Sequence, residues 1–272
     1  KYTDIDGEKS YSDIESISIN KLIGENLKIY PIPSSEFLKI AFIMFFASWL
    51  AHTKHEVHTF KKGLLPFIGI LGVVAALLIS QPDTDTFLVT AVAGFAMFLT
   101  AGGKWKHILL VGAIVVTGIT FAAFTRPYVM QRITTFINPA ANSQTSGYQI
   151  QQSLIAIGSG GFSGRGFGQS VQKFNFLPEP IGDSIFAVAG EEFGFIGTTT
   201  IIVLFIFFTV RGLKIALKTN DAFGRLFIVG AVILIVSQAF INIGAMLGVL
   251  PLSGIPLPFI SHGGTALLVT LA

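Results

Sequence analysis

From Leu226 to Leu247 the chain runs without a single charged residue. A stretch of that length and polarity crosses a lipid bilayer as an α-helix. About 20 apolar residues match a hydrocarbon core about 30 Å thick, and a helix satisfies every backbone polar group within itself. Comparable runs occupy 37–51, 64–80, 86–101, 108–124 and 185–210, and another begins at 258 and runs to 272. The run 185–210 carries Glu191 and Glu192, so its apolar length proper starts near Phe193. The expected fold class is all-α, a polytopic transmembrane helical bundle. Composition agrees, because a chain that is 51% hydrophobic and 12% charged has too little polar surface to cover a soluble particle. Cysteine is absent, which removes disulfides, thiolate nucleophiles and cysteine metal clusters.

Basic residues orient the spans. The short connections 52–63, 102–107 and 211–225 hold Lys54, Lys61, Lys62, Lys104, Lys106, Arg211, Lys214, Lys218 and Arg225, whereas 81–85 and 248–257 hold none. The first set is expected in the cytoplasm, and the long loop 126–182 outside. The net charge of +3 then reflects these loops and gives no reason to expect a nucleic-acid partner. Two parts result: a polar segment 1–35, and a transmembrane domain 36–272 containing the extracellular loop 126–182. Within that loop, Val129, Met130, Ile133, Phe136 and Ile137 recur at helical spacing, which predicts a short interfacial helix ending at the breaker Asn138-Pro139. Residues 147–156 read as a second helix.

Several groups have chemistry to offer. Asp183 stands where the long loop re-enters the membrane, and reads equally as a helix N-cap and as a functional carboxylate at membrane depth. At about 100° per residue Glu191 lies roughly 80° round from it and Glu192 roughly opposite, so one of the pair is expected to face the bundle in a structural hydrogen bond. Glu36 and Lys39 share a helix face at i and i+3, as a snorkelling pair or as the lining of a substrate cavity. The glycine-rich run 158–168 has neither a Gly-Lys-Ser/Thr ending nor a G-x-G-x-x-G register, and suits close approach of backbone to a ligand or the membrane surface. Arg165 and Lys173 beside it are candidates for anionic lipid head groups. His52, His55 and His58 recur every three residues in a basic, solvated connection, and Asp4-x-Asp6-Gly7 lacks the later ligands of a calcium loop. Gln238 and Asn242, at i and i+4 within a span, are expected to hold helices together. The prolines and glycines of 248–264 require burial or a cavity, because irregular backbone has no other place at membrane depth.

In chain order, Ser35-Glu-Phe-Leu-Lys, Gln81-Pro-Asp, Arg132-Ile-Thr-Thr-Phe-Ile-Asn-Pro, Gly147-Tyr-Gln-Ile-Gln-Gln-Ser-Leu-Ile-Ala-Ile-Gly-Ser-Gly-Gly, Leu177-Pro-Glu with Gly182-Asp183, and Pro256-Leu-Pro-Phe-Ile-Ser-His-Gly-Gly form an ordered set. Together they resemble the SEDS family (shape, elongation, division and sporulation), the RodA/FtsW-type peptidoglycan glycosyltransferases, from about residue 35 to 272. The stretch 170–179 is more similar to the division branch than to the elongation branch. The resemblance implies a ten-helix protein of the bacterial cytoplasmic membrane that polymerises lipid II on the outer face, with a class B penicillin-binding transpeptidase and other divisome proteins as partners besides membrane lipid. It matches the family's essential aspartate to Asp183, and the glutamate and lysine of its Pro-Ser-Glu motif to Glu36 and Lys39. The set of substrate-binding candidates is then Glu36, Lys39, Arg165, Lys173 and Glu179. Glu191, Gln238 and Asn242 are the structural polar groups.

In the implied chemistry Asp183 is a general base for inverting transfer from an undecaprenyl-pyrophosphate donor. The leaving charge is met by Arg165, Lys39 or a divalent cation, Mg or Mn; no protein metal site is expected. Departures from the family pattern are Ile181-Gly182 for His-Thr, Ser184 for Phe, Asp85 for the turn glycine, Ser34 for proline and His262 for tyrosine. The polar start suggests a chain lacking the first two or three helices and the end of the last. The rival classes are a lipid II flippase, or transporter of another lipid-linked precursor, and a non-catalytic scaffold for a transpeptidase.

Overall fold

A computed structural model describes residues 34–53, 56–81, 83–125, 127–138 and 146–262. Among them all regular structure is helical. The order is α1 (Ser34–His52), a π-helical turn (Phe60–Leu64) running into α2 (Leu65–Ser80), α3 (Thr84–Thr100), α4 (Trp105–Thr125), α5 (Pro127–Ile137), α6 (Ser146–Gly160), the single turn α7 (Gln172–Asn175), α8 (Ile185–Lys218) and α9 (Ala222–Met246). Asp83 and Asp221 start α3 and α9 by accepting from the backbone N–H groups of Thr86 (3.1 Å) and Gly224 (2.6 Å), which supplies partners to otherwise orphaned donors.

Each of the six complete apolar runs is a helix. Ser35–His52, Phe60–Ser80, Ile185–Lys218 and Ala222–Met246 are long and apolar enough to cross a membrane, while Thr84–Thr100 and Trp105–Gly118 are shorter apolar helices. The run expected to end at 210 continues to Lys218, because Arg211, Lys214 and Lys218 are good helix formers and carry their charges on long stems. The expected interfacial helix is α5, with Val129 buried and Ile137 exposed. The polar start, Lys54, His55, Arg126, Pro139 and the last run beyond His262 lie outside the described residues. α1 stops at His52, and His58 sits exposed in a turn.

Lipid is as apolar as a leucine side chain, so shape-matched packing has to hold such helices together. Phenylalanines supply much of it where α1, α2 and α3 meet. Phe42 stacks on Phe46 (5.3 Å between centroids), Phe46 on Phe67 (5.2 Å) and Phe67 on Phe98 (4.8 Å), each pair contributing about 0.5–1.5 kcal/mol beyond its buried area. α9 packs between α3 and α8, and α6 lies along α8.

α8 is broken at Gly194, whose φ of 64° and ψ of −159° fall in territory that only glycine enters readily. A break near the membrane strands backbone groups that water cannot rescue. The glycine-rich turn rescues them. The N–H groups of Arg165 and Gly166 donate to the carbonyls of Glu191 (2.9 Å) and Glu192 (3.0 Å), while those of Phe195 and Ile196 donate to Gly161 (2.9 Å) and Phe162 (3.2 Å). Gly164 lies between them at φ 80°, where a Cβ would stand 2.1 Å from the Glu192 carbonyl oxygen. The run 158–168 is therefore a plug for the helix break. That replaces the expectation of a backbone approaching ligand or lipid.

Both glutamates serve the same plug, and Glu191 takes the structural hydrogen-bonding role expected of one of the pair. Glu191 is fully buried and accepts from Ser170 Oγ (2.6 Å) and the N–H groups of Val171 (3.1 Å) and Gln172 (3.2 Å), with the Arg165 guanidinium 3.5 Å away. Glu192 is buried and takes the Lys173 ammonium at 2.6 Å. Charge-assisted hydrogen bonds of this kind contribute about 1.5–3 kcal/mol each, and losing the acceptor strands several donors at once. Glu191→Ala is expected to destabilise the protein by about 3 kcal/mol or more. Glu192→Ala should cost less. Thermal unfolding of the two variants in the same detergent checks the order, and limited proteolysis should cut the 160–176 region of Glu191→Ala first.

Candidate functional site: a carboxylate clamped at one end of the bundle

The N-terminal ends of α1, α3 and α8, the C-terminal end of α9 and the segment 248–262 meet at one end of the molecule, and side-chain contacts tie them together. Lys39 of α1 is buried. It donates to Glu36 Oε1 at 2.7 Å and to Gln238 Oε1 of α9 at 3.2 Å. Gln238 passes the connection on by donating to the Pro256 carbonyl (3.0 Å). One helical turn along, Asn242 donates from Nδ2 to two carbonyls, Ile255 (2.8 Å) and Asp183 (2.7 Å). The expected amide pair does hold elements together, and its main load is irregular backbone at the mouth of the bundle.

Asp183 precedes α8 in a segment fixed from several sides. The N-cap position belongs to Ser184, and no side chain caps the helix there. The capping alternative for Asp183 is thus excluded. Ser184 Oγ donates to the Pro178 carbonyl (2.8 Å) and accepts from Gln149 Nε2 of α6 (3.0 Å). That gives the serine standing where the family pattern has phenylalanine a polar role. Ser261 Oγ donates to the Gly182 carbonyl (2.7 Å), and the His262 N–H donates to Ile181 (2.8 Å). The turn is closed by Glu179 at φ 45°, whose carbonyl accepts from the N–H groups of Gly182 (3.1 Å) and Ser184 (3.2 Å). Every one of these bonds uses main chain or neighbours. Among the described residues the Asp183 carboxylate itself has no hydrogen-bond donor.

That carboxylate is half-buried, and its pKa is pushed up from 3.8 to about 6, first by burial and then by the negative charges of Glu179 and Asp85. Asp85 is a part of the site that the sequence reading left among the departures. Its two oxygens take Arg132 of α5 at 2.6 Å, and the Gly254 N–H donates to Oδ2 at 3.3 Å. Gly254 also borders Asp183: a Cβ there would stand 3.6 Å from Asp183 Oδ2. The structure thus gathers Asp183, Glu179, Asp85, Arg132 and the loop at 253–256, with Glu36 and Lys39 joined through Gln238. Arg165 and Lys173 are engaged elsewhere, by Glu191 and Glu192. Among the described residues no group of three His, Asp or Glu side chains assembles that could hold a metal.

An all-helical membrane bundle with a clamped, half-buried acid at the mouth of its helices defines the class: a polytopic integral membrane protein with an acidic site at one end. The family then follows. The FtsW/RodA/SpoVE family model, described as a cell cycle protein, matches residues 26–272. The chain belongs to that family. It is 40% identical over 242 residues to stage V sporulation protein E of Bacillus subtilis (strain 168), covering 89% of this chain and 66% of that protein. It is 39% identical over 237 residues to a probable peptidoglycan glycosyltransferase FtsW of Geobacter sp. (strain M18), covering 87% and 65%. Among solved structures it resembles a chain of a peptidoglycan synthase complex in which polymerisation and crosslinking are coordinated, with TM-score 0.71 and 25% identity over 87% of this chain and 66% of that one. The rod shape determining protein RodA of Thermus thermophilus is also similar, with TM-score 0.58 and 25% identity over 88% and 61%. The chain spans just under two thirds of the length of these relatives.

The raised pKa has a direct test. Carbodiimides modify protonated carboxyls, so labelling of Asp183 read by mass spectrometry is expected to fall by half near pH 6. In Glu179→Gln, where one repelling charge is gone, the midpoint should move to lower pH.

Proposed function

We propose that this chain is the catalytic part of a peptidoglycan glycosyltransferase that polymerises lipid II, with Asp183 as general base at the outer face of the cytoplasmic membrane. The observation that carries this reading is the contrast at Asp183. Its main chain is clamped by Asn242 while its carboxylate is left with no donor among the described residues and a pKa of about 6. A base held in place, stripped of stabilising donors and tuned toward neutrality suits proton abstraction.

In the proposed step, Asp183 accepts the proton of the acceptor sugar's 4-hydroxyl. The oxygen attacks the anomeric carbon of the donor, forming the glycosidic bond with inversion, and the bond from that carbon to the pyrophosphate oxygen breaks. The electron pair leaves on undecaprenyl pyrophosphate, which needs no acid because pyrophosphate is a good leaving group. A divalent cation, Mg or Mn, finds no cage of side chains among the described residues, so it would arrive with the pyrophosphate. Glu36 and Lys39 act as an ion pair that braces Gln238 and, through it, Pro256. Basic residues in the short connections at the opposite end support the outward orientation of the site. Similarity to FtsW and to stage V sporulation protein E supports a role in septal or spore-wall synthesis, beside a class B penicillin-binding transpeptidase.

Asp183→Asn in the full-length protein is expected to lower polymerisation of lipid II by about 100-fold or more, the range for losing a general base. The activity of the unaltered protein should fall as pH drops through about 6, because protonation removes the base. Reconstituted vesicles separate this reading from transport. If Asp183→Asn polymerised normally, or if the protein moved lipid II across the bilayer and made no polymer, the glycosyltransferase assignment would fail.

A further inference from the structure

Three consecutive residues of the segment that borders Asp183 are each held by a different side chain. Gly254 donates its N–H to Asp85 Oδ2 (3.3 Å), the Ile255 carbonyl accepts from Asn242 (2.8 Å), and the Pro256 carbonyl accepts from Gln238 (3.0 Å). Asn242 and Gln238 belong to α9, whereas Asp85 belongs to α3. Of the three residues Gly254 is the one that meets the acid's reactive end, since a Cβ added there would stand 3.6 Å from Asp183 Oδ2.

A lone glycine N–H at 3.3 Å is a weak restraint, so the position of Asp85 matters. It sits in the first turn of α3, whose start is fixed by the Asp83 cap on Thr86 (3.1 Å). Both of its carboxylate oxygens lie 2.6 Å from Nη1 of Arg132. The pair is partly buried, which makes it worth more than an exposed one. α5, which carries Arg132, packs on α4 and α6. Through Asp85 it is joined to α3 and to Gly254 as well.

Few charges bear on Asp183 among the described residues. Glu179 lies in its own turn, Asp85 comes from α3, and Arg132 of α5 acts through Asp85. From α1 comes Lys39, which is taken by Glu36 and Gln238. α9 and α6 present the neutral amides of Gln238, Asn242 and Gln149, and His262 is exposed at the end of the segment.

We propose that Asp85 is a positioning residue for the reaction at Asp183: held by Arg132, it fixes Gly254 beside the acid and completes, with Asn242 and Gln238, a three-point clamp on 254–256. The identity of the reaction rests on the glycosyltransferase reading; the clamp does not. Removing either partner opens the clasp, yet the two removals act oppositely on Asp183. Without the Asp85 charge the acid ionises more easily, and without Arg132 that charge is unopposed and the acid ionises less easily. A pair that only supported the fold would send both variants the same way.

The test uses the full-length protein in nanodiscs. Carbodiimide labelling is read at Asp183 itself by mass spectrometry, which keeps it apart from the titratable Glu179 and His262. The labelling midpoint is expected to move to lower pH in Asp85→Asn and to higher pH in Arg132→Gln. Hydrogen exchange over 250–257 should rise in Asp85→Ala and stay near that of the unaltered protein in Asp85→Asn, whose amide oxygen still accepts. Polymerisation of lipid II by Asp85→Ala should lose up to about 100-fold in kcat with KM little changed, the scale for a misplaced reacting group, and Asp85→Asn should retain most of it. Midpoints that move together or stay put, or exchange that is unchanged in Asp85→Ala, would each overturn the proposal. If both effects appear and the unaltered protein makes no polymer, the clamp stands and the glycosyltransferase reading falls. If Asp85→Ala polymerises as well as the unaltered protein, the positioning role alone falls.

Discussion

The end of the bundle that carries Asp183 depends on how the backbone around Gly194 is satisfied. A helix that breaks at the edge of a membrane frees carbonyls and N–H groups where water is scarce, and each unpaired group costs as much as a lost hydrogen bond or more. The chain answers with its own loop: residues 161–166 supply two donors to Glu191 and Glu192 and two acceptors to Phe195 and Ile196. Buried Glu191 then draws in Ser170, Val171 and Gln172, so the plug and the following turn become one hydrogen-bonded unit. With that unit in place, the first turns of α8 have a fixed position. Asp183 at their head inherits it.

The same division of labour recurs at Asn242 and Gln238. Amides buried in a membrane helix are costly unless every useful partner is found, and here they spend their donors on carbonyls of non-helical backbone, those of Asp183, Ile255 and Pro256. The carbonyls of Ile181, Gly182 and Asp183 all find donors. The carboxylate of Asp183 is the exception, left to face Glu179 and Asp85. Rigid backbone around an under-stabilised charge is the condition under which a side chain retains reactivity, because relaxation toward a more comfortable arrangement is blocked by the scaffold.

The parts of this arrangement that follow local rules were legible in the sequence. Spans follow from apolar length, the start of the apolar part of α8 near Phe193 from the position of two charges, and the amide pair from i, i+4 spacing. Asp183 itself was ambiguous, since an aspartate before an apolar run satisfies the rule for a cap as well as for a site; only the geometry at Ser184 decides. Glu191 takes the structural hydrogen-bonding role expected of it, yet its partners at 170–172 lie in a folded-back loop that the phase of an uninterrupted helix does not reveal. The Asp85–Arg132 pair was out of reach because it joins residues 47 positions apart on two helices. Asp85 was noticed only as a departure from a motif's glycine, and nothing local ties it to an arginine in the next long loop.

That departure bears on the whole site. A glycine at position 85 would take from Arg132 and the Gly254 N–H the carboxylate they share, with one negative charge fewer beside Asp183. The aspartate does both things at once: it quenches the cation and raises the pKa of the neighbouring acid.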